Sequence, residues 1–169
     1  MSLIEKYPQE VKDIFAKYPP DQKRSAVMAL LYLAQRDGGY ATLQAMQEIG
    51  NMLEISVTEV ATIVGFYTLF HDKKEGKYRM QVCTDLSCAL RGADEFLTEL
   101  CDNLKVKVGE TTEDGLITIE EVKCLAGCDK APLFQIQSED GIEYHENMTV
   151  ELTMDLIKAL KKKSKEVKE

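Results

Sequence analysis

Five cysteines punctuate a chain of 169 residues, and four of them form two close pairs. Cys83 and Cys88 bound the run Cys-Thr-Asp-Leu-Ser-Cys. Cys124 and Cys128 bound Cys-Leu-Ala-Gly-Cys, which continues into Asp129-Lys130-Ala131-Pro132. Each pair follows a strand-like run, Tyr78 to Val82 before the first and Leu116 to Ile119 shortly before the second. Two thiol pairs on separate loops can converge on one centre, and four thiolates suit either zinc or an iron–sulfur cluster.

Structural zinc takes four closed ligands at C-x2–4-C spacings, and both pairs satisfy that window. Zinc knuckles, however, fold units too small to hold themselves together, whereas 44% of this chain is apolar and can build a core without metal. A dithiol oxidoreductase needs Cys-x-x-Cys at a helix N-terminus, and neither pair has two intervening residues. A [2Fe–2S] cluster fits best, because each of its irons needs two thiolates and each loop offers one pair. Ala89, Ala126 and Gly127 are small, so backbone N–H groups can approach cluster sulfurs, and Pro132 stiffens the exit from the second loop. Spacing alone leaves zinc open. The fifth cysteine, Cys101, falls on a helix face with Leu97 and Leu100 and reads as a small core residue. His71 and His145 read as surface residues in loops or strand ends. The absence of a Gly-rich phosphate loop predicts no nucleotide site on this chain.

The elements that must position these thiols fall into two blocks. Residues 1–75 read as a helical bundle. Pro8 to Lys17 carries Val11, Ile14 and Phe15 and stops at Pro19-Pro20. Asp21 is the expected cap of a second helix with Val27, Leu30, Leu31 and Ala34 at i, i+3, i+4, i+7, closed by Gly38-Gly39. Thr42 caps a third, with Leu43, Met46, Ile49 and Leu53 inward. Ser56-Val57-Thr58-Glu59 is a capping box for a fourth, with Val57, Val60, Ala61 and Val64 inward, running to Phe70. The last two helices imitate a helix-turn-helix, yet Val57 to Phe70 contains no Lys or Arg to meet phosphates.

After a polar stretch, His71 to Gly76, residues 76–160 change period. Tyr78–Val82 and Leu116–Val122 read as strands and Gly92–Leu104 as a helix. Leu133–Gln137 and Ile142–His145 flank an Asp-Gly hairpin turn. Thr149 caps a final helix with Leu152, Leu156, Ile157 and Leu160. Strand, helix, strand, strand, strand, helix suggests an α/β sandwich of thioredoxin type, with both cysteine pairs in loops at one end of the sheet. Residues 161–169 form a lysine-rich tail (Lys161, Lys162, Lys163, Lys165, Lys168), expected as a solvated helix end. The net charge of −8 argues against a nucleic-acid partner. No run reaches the length of a membrane span and no secretory signal is visible, so an intracellular chain with reduced thiols is expected.

These motifs resemble the 24-kDa subunit family of respiratory NADH:quinone oxidoreductase, complex I, among the thioredoxin-like [2Fe–2S] ferredoxins. Beside the cysteine pairs, the resemblance covers Tyr18-Pro19-Pro20, Gly65-Phe66-Tyr67-Thr68-Leu69-Phe70, Gly76-Lys77-Tyr78 and Gly92-Ala93. Two departures are visible. Ile117 stands where the family usually has phenylalanine, and the family commonly places its glycine directly after the leucine, where this chain has Ala126 before Gly127. The resemblance implies an α/β (α+β) fold, a helical bundle followed by a thioredoxin-like [2Fe–2S] ferredoxin domain. Carried over by position, Cys83, Cys88, Cys124 and Cys128 would hold one [2Fe–2S] cluster. The implied partners are a flavoprotein subunit, which would hold FMN and NADH, and further iron–sulfur subunits of the peripheral arm. The implied role is that of an oxidoreductase subunit in electron transport towards quinone, in the cytoplasm and peripheral to the inner membrane through the complex. NAD-linked hydrogenases and formate dehydrogenases use the same module, and a zinc-stabilised interaction module is the non-redox alternative.

Overall fold

Capping chemistry writes the first part of the computed structural model, which describes residues 2–166. The chain divides between Lys74 and Glu75 into two compact units. In the first, helices α1 (Leu3–Lys6), α2 (Pro8–Ala16), α3 (Val27–Gly38), α4 (Leu43–Leu53) and α5 (Val57–Phe66) follow one another. Ser2 and Glu5 form a capping box on α1, a one-turn helix not foreseen from the sequence. Thr42 Oγ1 accepts the Ala45 N–H at 3.1 Å. At α5, Ser56 Oγ accepts the Glu59 N–H at 3.2 Å while Glu59 accepts the Ser56 N–H at 3.0 Å, so two orphan donors are closed reciprocally. Gly39, at φ 77°, ends α3 with its N–H on Gln35, a left-handed cap that suits glycine.

Asp21 does not cap α3: a 3₁₀ segment, Pro20–Ala26, intervenes, and α3 starts after Ala26 without a side-chain cap. α5 ends at Phe66 rather than Phe70, because Tyr67 turns to extended backbone. Phe70 then folds back into the core, its ring 4.8 Å from Tyr32, and leaves Phe66 exposed. Leu43 and Ala61 are also exposed; the α4 stripe is buried only from Met46 onward, and Ala61 lies at the edge of its stripe. Leu30, Leu31, Ile49 and Val60 are fully buried at the centre of this unit.

In the second unit, strands β1 (Tyr78–Cys83), β2 (Ile117–Val122), β3 (Phe134–Ser138) and β4 (Gly141–His145) form one sheet in the order β2-β1-β3-β4. β1 runs parallel to β2, so helical segments must cross between them: α6 (Leu86–Ala89) and α7 (Ala93–Leu104). β1 and β4 each pair antiparallel to β3, the latter through the Asp-Gly turn. Alternation puts Met80, Val82, Ile117, Ile119, Phe134 and Ile136 on one face, packed on Phe96 and Leu100 of α7 and on Ile157 of α8 (Val150–Glu166). The other face carries a buried polar row: Gln135 Nε2 donates to Gln81 Oε1 at 2.6 Å, and Gln81 Nε2 donates to Glu120 at 2.7 Å. Burial chiefly pushes the Glu120 carboxyl upward.

The lysine-rich segment is helical to residue 166, and two of its lysines form ion pairs. Lys161 meets Asp114 at 2.7 Å and Lys163 meets Asp140 at 3.1 Å, so α8 is tied to both edges of the sheet, at the end where β1 begins. Lys161 first, then Thr112, holds the Asp114 carboxyl at about 2. Lys168 lies outside the described residues. Among those described, no single helix is long and apolar enough to cross a membrane.

Candidate metal centre

The register delivers the cysteines to one end of the sheet. Cys83 is the last residue of β1 and pairs with Val122, the last of β2, two positions before Cys124. β3 begins at the same end, with Phe134 opposite Val82. The C-terminal ends of parallel strands are where open α/β sheets place their ligands.

Burial separates the two pairs. Cys83 is 1% exposed and Cys88 0%. Cys88 lies on α6, a single turn, and not in a loop as the spacing suggested; Asp85 starts that turn and accepts the Cys88 N–H at 2.8 Å. Ala93, Ala131 and Leu133 pack around both thiols, and the Cys83 N–H donates to the Leu133 carbonyl at 3.2 Å. Cys124, by contrast, is exposed, and Cys128 is half-buried at the start of a 3₁₀ turn, Cys128–Lys130. Burial first, then the neighbouring Cys83 and Cys128 thiols, pushes the Cys88 thiol up to about 12. Cys88 thus lies between Cys83 and Cys128, while Cys124 sits on the exposed rim.

The second loop is shaped by its backbone. Cys124 and Ala126 hold left-handed φ values of 44° and 60°. A Cβ on Gly127 would meet Leu133 Cδ1 at 2.8 Å, so any larger residue would push the buried Leu133 side chain aside. Past the turn, the Lys130 and Pro132 carbonyls accept the Asn147 and Met148 N–H groups, and Arg91 Nε donates to the Ala131 carbonyl at 3.3 Å. Leu133 and Arg91 were not legible as site residues, since their contacts span the loop and not the sequence.

Cys101 packs in the core of the sheet with Leu97 and Leu100, apart from the other four. The two histidines correct the reading as surface residues. His71 is 7% exposed, its backbone N–H on Gln35 Oε1 at 2.9 Å. His145 is half-buried, its ring 5.1 Å from that of Phe134, and burial lowers its pKa.

Sulfurs of a tetrahedral Zn–S4 site lie about 3.8 Å apart, all mutually close. Among the described residues, no three cysteine sulfurs lie within 4.8 Å of one another. The donors are all sulfur, a set that suits an iron–sulfur cluster.

A helical block, a parallel strand pair with its crossover, and four thiols at the sheet's carboxyl end define a thioredoxin-like ferredoxin. The sequence model of the thioredoxin-like [2Fe-2S] ferredoxin family matches residues 11–161, and the chain belongs to that family. It is 41% identical over 148 residues to an NADH-quinone oxidoreductase subunit of Rickettsia felis, covering 86% of each chain. It is 38% identical over 133 residues to an NADH-quinone oxidoreductase subunit of Thermus thermophilus, covering 79% of this chain and 74% of that one. Among solved structures, the NAD+-reducing [NiFe]-hydrogenase in its air-oxidized state shares the fold, with a TM-score of 0.66 and 18% identity over 79% of this chain and 23% of that chain.

Proposed function

We propose that this chain is the [2Fe–2S] electron-transfer subunit of an NADH:quinone oxidoreductase, with Cys83, Cys88, Cys124 and Cys128 as the cluster ligands. The observation that supports it is the buried cluster of Cys83 and Cys88, with Cys128 beside Cys88, in a chain 38–42% identical to NADH-quinone oxidoreductase subunits over most of its length. When bound, the cluster supplies one-electron storage and transfer. Cys83 and Cys88 provide thiolates from an apolar, fixed wall, and Cys128 and Cys124 complete the set on the solvent side. Exposure of Cys124 leaves that side open to a redox partner, here the FMN of an NADH-binding flavoprotein subunit. The helical bundle docks on that subunit through exposed apolar groups such as Phe66 and Tyr67. The chain has no NADH site or active site of its own and lies at the membrane periphery, on the cytoplasmic side, through partner subunits. A hydrogenase or formate dehydrogenase assembly is less favoured, since the hydrogenase shares the fold at only 18% identity.

Reconstitution of the full chain with iron and sulfide tests this reading. Two irons and two sulfides per chain, visible absorption and a one-electron EPR signal on reduction are expected, with no heat on titration with NADH. A colourless chain that retains zinc and takes up no iron would overturn it.

A further inference from the structure

The first cysteine pair is placed by burial, but Cys124 is exposed and turns through a left-handed backbone. Something else must set its distance from the buried pair. Thr84, immediately after Cys83, is 8% exposed. Its hydroxyl donates to Glu121 Oε1 at 2.6 Å and accepts from Lys123 Nζ at 3.0 Å. Lys123 also bonds Glu121 directly, closing a three-membered ring of side chains. The Thr84 N–H donates to the Val122 carbonyl at 3.1 Å, carrying the β1–β2 ladder one step beyond the strands. The residue after the first cysteine is thereby tied to the residue before the third.

We propose that Thr84, with Glu121 and Lys123, is a positioning device that holds Cys124 in ligating register with the buried cysteine pair. The proposal rests on the four-cysteine reading above. The Thr84 hydroxyl has one proton and accepts through its lone pairs; here the proton goes to a carboxylate and a lone pair takes an ammonium, both charge-assisted bonds. An exposed Lys–Glu pair alone contributes little, but the hydroxyl between them is buried and fixed on the sheet. Consecutive Cα atoms are about 3.8 Å apart, so freedom at Lys123 passes directly to Cys124. Polar groups that orient a ligand without touching the metal govern how firmly the metal is held.

The test uses the full chain, reconstituted with iron and sulfide, and follows bleaching of the visible spectrum by an iron chelator. Thr84→Val keeps the shape and removes the hydroxyl; Thr84→Ser keeps the hydroxyl. Lys123→Met acts at an exposed position and keeps the test alive if Thr84→Val does not fold. Thr84→Val and Lys123→Met are expected to bleach about tenfold faster than the parent, the low end for loss of such an orienting partner. Both are expected to shift the EPR signal of the reduced protein. Thr84→Ser is expected to match the parent in rate and spectrum. Parental rates and spectra in both Thr84→Val and Lys123→Met, or a Thr84→Ser variant as impaired as Thr84→Val, would overturn the positioning role while the cluster reading stands. A parent chain that takes up no cluster would overturn the four-cysteine reading, and this role with it.

Discussion

The two cysteine pairs carry the same donor atoms and are held by opposite means. Cys83 and Cys88 lie in a dry pocket of Ala93, Ala131 and Leu133, on a strand end and a helical turn. Cys124 and Cys128 lie on a solvent-facing loop with two non-glycine residues at left-handed φ, fixed by hydrogen bonds at its ends. Packing and backbone hydrogen bonds set the first pair, and burying apolar surface is favourable whether or not a ligand is present. The second pair must stay accessible, so its geometry is held by strained backbone and polar ties, as is common in functional loops. A ferredoxin of this kind thus has a rigid wall and a shaped rim.

Ligand replacement is the largest perturbation and treats both pairs alike. Alanine at Cys83, Cys88, Cys124 or Cys128 is expected to abolish or badly destabilise the cluster, whereas Cys101→Ala leaves iron and sulfide content at the parental value. A Cys124→Ala chain with a full complement of both would sink the ligand assignment.

Leu133→Ala comes next and strikes chiefly the wall. Leu133 is fully buried beside Cys83 and Cys88 and is also the surface on which Gly127 rests. Its truncation is expected to cost about 2–5 kcal/mol of unfolding free energy, read by urea titration of the metal-free protein. A smaller pairwise comparison follows in the same assay. Cys88→Ala is expected to destabilise the metal-free chain by about 1 kcal/mol as a buried truncation, and Cys124→Ala by less than about 0.5 kcal/mol as a surface change. Equal costs at the two positions would erase the contrast between wall and rim.

Much of the wall was legible in the sequence and little of the rim. Local signals carried far: the Ser56–Glu59 capping box, the Thr42 cap, the Asp-Gly hairpin and the period change after Gly76 all reappear in the structure. The carboxyl end of β1, where the cysteine pairs were expected, holds Cys83 and Cys88 in one buried cluster. Short or tertiary features did not show. α6 is a single turn, too brief for a periodic pattern. The 3₁₀ segment before α3 has no apolar stripe to reveal it. His71 and His145 looked superficial because polar composition predicts exposure only on average, and packing of the Gln35–His71 bond and the Phe134 ring overrides it. The bonds of Thr84 to Glu121 and Lys123 join residues far apart in the chain, a separation that no single-sequence pattern encodes.

The smallest effect sharpens the comparison most. Ala126 sits at φ 60° on the exposed loop, in the region that Cβ sterics disfavour for every L-residue. Glycine takes that region without steric cost. Ala126→Gly removes the strain but adds freedom to the unfolded chain, and at positive φ the first effect exceeds the second. The net expectation is a gain of about 0.5–1 kcal/mol in unfolding free energy of the metal-free protein. Gly127→Ala, one residue on, is expected to go the other way, because its Cβ would press on the buried Leu133 side chain. Urea titrations of the two variants would show the opposite signs. A loss of stability in Ala126→Gly would mean that the loop is not strained there and that the rim, like the wall, is set by packing.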